Sequence, residues 1–273
     1  MPLAIFHIAS ILKEQQDLVL HNAVTTIYSG TSKKNGLIWG NTAEMRFGLQ
    51  KLTLLDYPGV VACTVFCCGC NFRCPFCHNG SLVTGNDAGL ELDFAGMLEF
   101  LEKRRGILEG VCFTGGEFLM HSDAVDAAAA AKALGYRVKV DTNGSFPEVL
   151  SELITSGSVD YIAMDIKNSP QKYAATCGRN DVLEKVCSSV ELLKHGNVEF
   201  EFRTTVTGSL HELSDFEDIG KWIKGAKKYF LQPFAESEDI LDKTGNFKVS
   251  GKSVDDALHI VQQYVPGAAI RGK

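Results

Sequence analysis

Cys70, Cys74 and Cys77 stand within one short stretch, written Cys70-Asn-Phe-Arg-Cys74-Pro-Phe-Cys77. Three thiolates at this spacing in one loop can hold three corners of a cubane iron–sulfur cluster. Closed clusters use four cysteine thiolates, and no fourth cysteine follows at a matching short spacing. An iron left without a protein ligand is open to a small molecule, which makes the cluster a reaction centre and not merely an electron relay. The competing reading is a structural zinc site completed by Cys67, Cys68 or His78. Structural zinc usually pairs one Cys-x2-4-Cys with a second pair well downstream, and no such pair is evident here.

Four further clusters of residues could carry chemistry. In Thr114-Gly115-Gly116-Glu117, two glycines let backbone approach a ligand with no Cβ in the way; a plain strand-to-helix turn would use the same residues. Asp141-Thr142-Asn143-Gly144 is built of turn formers, and Asp165-Ile166-Lys167 could be the solvated end of an apolar strand. Arg203 offers a planar fork that binds carboxylates bidentately, with a surface ion pair to Glu201 or Glu199 as its alternative. Cys63, Cys112, Cys177 and Cys187 read as small buried apolar residues.

These patches fall at the ends of strand-like runs. Strands are expected at Val60–Phe66, Gly110–Thr114, Arg137–Asp141, Tyr161–Ile166, Glu199–Val206 and Lys228–Gln232. Helices are expected between and after them, at Phe94–Arg105, Ser122–Leu134, Pro147–Ser156, Val182–His195, Leu213–Lys224 and Val254–Val265. Short Val/Ile/Phe-rich strands alternating with helices of 10–15 residues imply βαβ units and a parallel sheet. Six such units are two short of a closed eight-stranded barrel, and in barrels of this kind the loops after the strands build the site.

The Cys-x3-Cys-x2-Cys loop with Phe76 just before its last cysteine resembles the cluster loop of radical SAM enzymes. Leu52 to Asn79 resembles, more narrowly, the activating proteins of anaerobic ribonucleoside-triphosphate reductases, and the likeness runs from about Met45 to the C-terminus. The resemblance implies an α/β fold, an open partial (βα)6 TIM-like barrel. It implies a [4Fe-4S] cluster on Cys70, Cys74 and Cys77, with S-adenosylmethionine on the fourth iron. Reductive cleavage would give methionine and a 5′-deoxyadenosyl radical, which takes a hydrogen from one glycine of the reductase. Phe76 would lie near the adenine, and Gly115, Gly116 and Glu117 at the methionine amino group. Asp141, Asp165 and Lys167 would lie near the methionine carboxylate and ribose, the two aspartates also helping to hold a monovalent cation, and Arg203 would partner a carboxylate. No catalytic residue is implied beyond the cluster. A flavodoxin or ferredoxin would supply the electron. Two departures from the family pattern are the Cys67-Cys68 pair and Phe118, where proline is common. No cysteine lies between Cys77 and Cys112, so the ferredoxin-like insert of some other glycyl-radical activators is absent. The alternatives are an activator of a pyruvate formate-lyase-type enzyme, a small-molecule enzyme of the deazapurine-forming type, and a zinc-stabilised binding module.

Composition bounds the rest. With 273 residues, 45% hydrophobic and 22% charged, the chain has the make-up of an ordinary globular protein. A net charge of −6 argues against nucleic acid as a main partner. No apolar run approaches a membrane span, and Leu3–Leu12 lacks the basic flank of a signal peptide. Nine cysteines without such a signal read as ligands and buried thiols of a cytoplasmic protein. Residues 1–44 are expected to be an extension, from a start placed upstream of Met45 or as a loosely docked appendage, with residues 45–273 forming the radical SAM domain.

Overall fold

The computed structural model describes residues 46–85 and 90–272, so the expected extension at 1–44 lies outside the described residues. One eight-stranded sheet runs in sequence order, β1 to β8. Strand β1 (Phe47–Thr53) pairs antiparallel with β2 (Ala62–Cys67). From β2 onward every pairing is parallel: β3 (Gly110–Gly115), β4 (Arg137–Thr142), β5 (Tyr161–Asp165), β6 (Glu199–Val206), β7 (Tyr229–Pro233) and β8 (Ala268–Ile270). Parallel neighbours need crossover connections. Helices supply them: α1 (Gly80–Thr84) and α2 (Phe94–Lys103), α3 (Ala124–Ala133), α4 (Pro147–Thr155), α5 (Tyr173–Cys177) and α6 (Leu183–His195), α7 (Leu213–Trp222), and α8 (Gly251–Gln262). Strands β2 to β7 with their helices make the six expected units. The ends of the sheet do not pair with each other, so the barrel is open. Among the described residues no helix is long and apolar enough to cross a membrane.

Each expected strand and helix forms, with ends that coincide or shift by at most three residues. Two strands escape the sequence pattern. In β1, Gln50, Lys51 and Leu52 are all exposed and the register slips between Gln50 and Thr53, so the inside–outside alternation that marks a strand is lost. Strand β8 has three residues, too few to show a period, and joins β7 as a seventh parallel strand.

The core fills both faces of the sheet. Val111, Phe113, Val138, Val140, Ile162 and Met164 are fully buried, and the buried alanines Ala127, Ala128, Ala130 and Ala131 line α3. Charged side chains also sit in this interior, Glu201 among them. Glu201 on β6 is inaccessible to solvent; Arg271, just past β8, donates to both its oxygens at 2.5 and 2.8 Å, and the Tyr161 hydroxyl adds a third bond at 2.8 Å. The pair therefore pins the C-terminal end of the chain to the middle of the sheet. A buried carboxylate stripped of its partner is strongly destabilising. Arg271→Met is expected to lower the unfolding free energy by about 3 kcal/mol in urea titrations, with part regained in the double variant with Glu201→Gln. A loss below about 1 kcal/mol would show that Glu201 does not depend on its guanidinium partner.

Candidate active site

Parallel strands end at one rim, and the residues singled out from the sequence gather there. A cavity of about 200 Å³ is lined by Cys70, Cys74, Cys77, Phe76, Gly115, Gly116, Glu117, Asp141, Asp165, Lys167 and Arg203, the whole expected set. Thr114, Asn143 and Thr205 line it too.

The cysteine loop leaves β2 and is tied down from several sides. Gly69 N donates to Leu82 O at 2.8 Å, and Arg73 N donates to Cys177 O at 2.8 Å. From the segment after β7, Leu241 N donates to Cys77 O at 3.0 Å and Asp242 N to Pro75 O at 2.9 Å. Asp239 accepts from Ser81 N and Ser81 Oγ at the start of α1. Phe72 is buried edge-on against Tyr173, and Phe76 edge-on against Phe247. Phe76 thus presents itself both to the cavity and to a ring behind it.

The three thiols fit a cluster. All are free of disulfides and face one cavity. Among the described residues no three His, Cys, Asp or Glu side chains converge as a single metal ion requires. In a cubane each thiolate binds its own iron, so sulfurs spread around a cavity are the suitable arrangement. Burial pushes the Cys70 thiol up to about 11 and Cys74 up to about 12, against which Lys167 pulls both down. Ligation needs the thiolate, so loading iron must release these protons. Cys67 and Cys68 are turned elsewhere: their thiols donate to Thr114 O at 3.2 Å and Leu82 O at 3.4 Å. His78 does line the cavity, but its ring stacks on Phe234 and engages Ala235 O at 2.6 Å.

The Gly-Gly-Glu turn has a structural duty beside any ligand role. Gly116 N donates to Cys67 O at 2.9 Å and Glu117 N to Gly69 O at 2.8 Å, which lays the turn against the cysteine loop. A Cβ on Gly116 would lie 1.8 Å from Gly69 O, and Gly115 has φ of +112° with Cys67 backbone 2.5 Å from its would-be Cβ. Glu117 is buried and accepts from Thr142 Oγ1 and Asn143 N, both at 2.7 Å, and from Leu119 N at 3.1 Å. It clips the end of β3 to the end of β4. Burial, outweighing those bonds, pushes its carboxyl up to about 7. Phe118, which stands where the family commonly has proline, sits in the core, stacked on Phe113 at 4.7 Å.

Asn71 was not anticipated. It accepts from Asn143 Nδ2 at 2.9 Å and donates to Ser145 Oγ at 2.9 Å, bridging the cysteine loop to the turn after β4. Its place beside Cys70 was the available signal.

The cavity wall also carries a network of half-buried charges. Arg203 donates to Asp165 Oδ1 at 2.9 Å and Asp141 Oδ2 at 3.1 Å. Its alternative partner Glu201 is taken by Arg271, and Glu199 meets Lys228 at 3.2 Å. Lys167 bonds Asp165 at 2.9 Å, and Lys139 bonds Asp141. Burial opposes ionisation of Asp165, but Arg203 and Lys167 outweigh it and hold the carboxyl down at about 2; Arg203 and Lys139 likewise depress Asp141. The expectation that both aspartates serve a monovalent cation therefore meets carboxylates already paired to side-chain cations. Lys139 had a sequence signal: in Arg137-Val-Lys-Val-Asp141 it shares the Asp141 face of β4, two residues away.

Two outcomes follow. Gly116→Ala should lower thermal stability by several degrees and prevent cluster loading, read by melting and by visible absorbance after reconstitution. Glu117 keeps its proton in the folded protein up to about pH 7 but only to about 4.5 when unfolded, so its stabilising contribution is full below 4.5 and lost as pH rises through 7. Relative to Glu117→Gln, the wild-type unfolding free energy should fall by roughly 2–3 kcal/mol between pH 5 and pH 8 in urea titrations of the metal-free protein.

Comparison with known proteins is consistent with this geometry. Residues 64–223 match the Radical SAM superfamily. A protein of Methanocaldococcus jannaschii, provisionally named a glycyl-radical enzyme activating enzyme, is 32% identical over 234 residues, covering 82% of this chain and 94% of its own. The pyruvate formate-lyase-activating enzyme of Clostridium pasteurianum is 27% identical over 204 residues, covering 68% of this chain and 80% of its own. Among solved structures, Streptococcus suis SuiB bound to its precursor peptide SuiA superposes over 75% of this chain and 47% of SuiB, with TM-score 0.59 and 12% identity. AdoMet-bound anSMEcpe superposes over 72% of this chain and 57% of its own, with TM-score 0.55 and 18% identity. These two share the fold. The chain belongs to the radical SAM superfamily, whose members use a [4Fe-4S] cluster and S-adenosylmethionine, and within it to the glycyl-radical-enzyme activating enzymes.

Proposed function

We propose that this activase acts on an anaerobic ribonucleoside-triphosphate reductase, removing one α-hydrogen from a glycine to leave a stored glycyl radical. The observation that carries the reading is the single cavity shared by the three cysteines and the polar residues at the ends of β3 to β6. The Leu52–Asn79 stretch, with its likeness to reductase activators, supplies the target. Among the described residues β1 and β8 do not pair with each other, which leaves a side of the barrel open for a polypeptide loop. A flavodoxin or ferredoxin is the proposed reductant.

The proposed roles of the residues follow from their chemistry. Cys70, Cys74 and Cys77 hold the cluster, which when bound supplies one electron for cleaving S-adenosylmethionine. Lys167 and Arg203 present positive charge to a ligand carboxylate, a geometry in which charge-assisted hydrogen bonds are strong. Gly115 and Gly116 keep their side of the cavity free of side chains, and Phe76 offers a flat apolar face to a purine. Asp141 and Asp165 orient Arg203. Fixing the ligand this way supplies much of the rate by positioning alone, while the protein walls exclude water.

A second reading, a pyruvate formate-lyase-type target, is favoured by the likeness to the Clostridium pasteurianum enzyme. Protein reconstituted anaerobically with iron and sulfide, then given dithionite and S-adenosylmethionine, should release 5′-deoxyadenosine, and Cys74→Ala should drop it to background. Adding each purified target and recording EPR spectra separates the readings. A glycyl doublet on the reductase supports the proposal; a doublet on the lyase alone replaces it with the second reading.

A further inference from the structure

A lysine in the middle of a buried strand needs an explanation. The Lys139 side chain is 2% exposed, and its ammonium bonds Asp141 Oδ1 and reaches Cys112 Sγ at 3.5 Å. Lys139 does not line the cavity, whereas Asp141, Lys167 and Arg203 do. Any effect of Lys139 on a ligand must therefore pass through Asp141.

The surrounding charges define what it does. Asp141 accepts from Lys139, from Arg203 at 3.1 Å and from Thr114 Oγ1 at 3.2 Å. Asp165 accepts from Arg203 at 2.9 Å and Lys167 at 2.9 Å. Two carboxylates thus face three side-chain cations, contributed by β4, β6 and the turn after β5. An added metal cation would enter a network that already carries one positive charge in excess. At Asp141, whose two oxygens already accept from Lys139, Cys112, Arg203 and Thr114, it would also have to displace one of these donors. Without Lys139, Asp141 would lose the partner behind it and Arg203 would be drawn back toward the strand.

We propose that Lys139 is a positioning residue, a built-in counter-cation that holds Asp141 and, through it, Arg203 aimed at the cavity. The chain then binds its ligand without a diffusible monovalent cation. This deepens the proposed function and rests on it only for the identity of the ligand as S-adenosylmethionine; the choice of target protein does not enter.

The test compares wild type with Lys139→Met, which keeps the length of the side chain and removes its charge. S-adenosylmethionine affinity of the reconstituted protein is measured by equilibrium dialysis at one ionic strength in potassium, sodium or tetramethylammonium chloride, the last too large to enter. Wild type should bind equally in all three, within about twofold, while Lys139→Met should bind about tenfold more weakly in tetramethylammonium and recover in potassium or sodium. The metal-free proteins give a second readout. The melting temperature of Lys139→Met should rise when potassium replaces tetramethylammonium, and that of wild type should not. Wild-type affinity or melting that depends on the small cation overturns the proposal, as does a Lys139→Met protein indifferent to salt with wild-type affinity. If Lys139→Met does not fold, Lys139→Gln and the wild-type salt series decide. Salt-independent ligand binding with no radical on either target would leave this inference standing and remove only the target assignment.

Discussion

Five paired charged side chains at the mouth of one barrel, Lys139 buried and the other four half-buried, constrain everything around them. Asp141, Asp165, Lys139, Lys167 and Arg203 sit on β4, β6, the end of β5 and the turn after it, where an unpaired charge would be costly to hold. Each therefore has a partner, and the pairing requires the three strands to keep their register to within a hydrogen-bond length. The excess positive charge is left facing the cavity through Lys167 and Arg203. That polarity would suit anionic thiolates and a ligand carboxylate, because low-dielectric surroundings strengthen it.

The second constraint is steric. The cysteine loop and the Gly-Gly-Glu turn approach so closely that neither Gly115 nor Gly116 has room for a Cβ. Close packing of backbone on backbone allows the two loops to bond directly, Cys67 to Gly116 and Gly69 to Glu117. The glycines thus serve the scaffold as well as the opening of the cavity. Glu117 completes the arrangement from beneath, a buried carboxyl satisfied by the next strand's turn. Cluster loop, turn and strand ends are thereby tied into one hydrogen-bonded unit, which suits chemistry that depends on position.

Much of this was legible in the sequence. Alternating apolar runs and helices named the six units, since burial of both sheet faces leaves continuous Val, Ile and Phe runs. Cysteine spacing identified the loop, and polar residues at the strand ends identified the rim. What escaped detection was short or irregular: β8 with its three residues, β1 with its bulge and exposed Leu52, and the linking role of Asn71. The choice between ligand and scaffold roles for Glu117 was equally hidden, because hydrogen bonds across strands leave no trace in local spacing.

By itself, the sequence singled out Cys70, Cys74 and Cys77 as the candidate donor set, and gave the order of most strands and helices, because both depend on residue type and short-range period. Tertiary structure alone decided the partners. Arg203 pairs with Asp141 and Asp165 and not with Glu201, two residues away, because alternate residues at its strand's depth meet different neighbours: Glu201 faces Arg271 and Tyr161 toward the far end. Lys139 reads in sequence as an interruption of an apolar strand. Only the neighbouring strand β3, by setting Cys112 against it beside Asp141 of its own strand in a space closed to water, makes it a fixed charge.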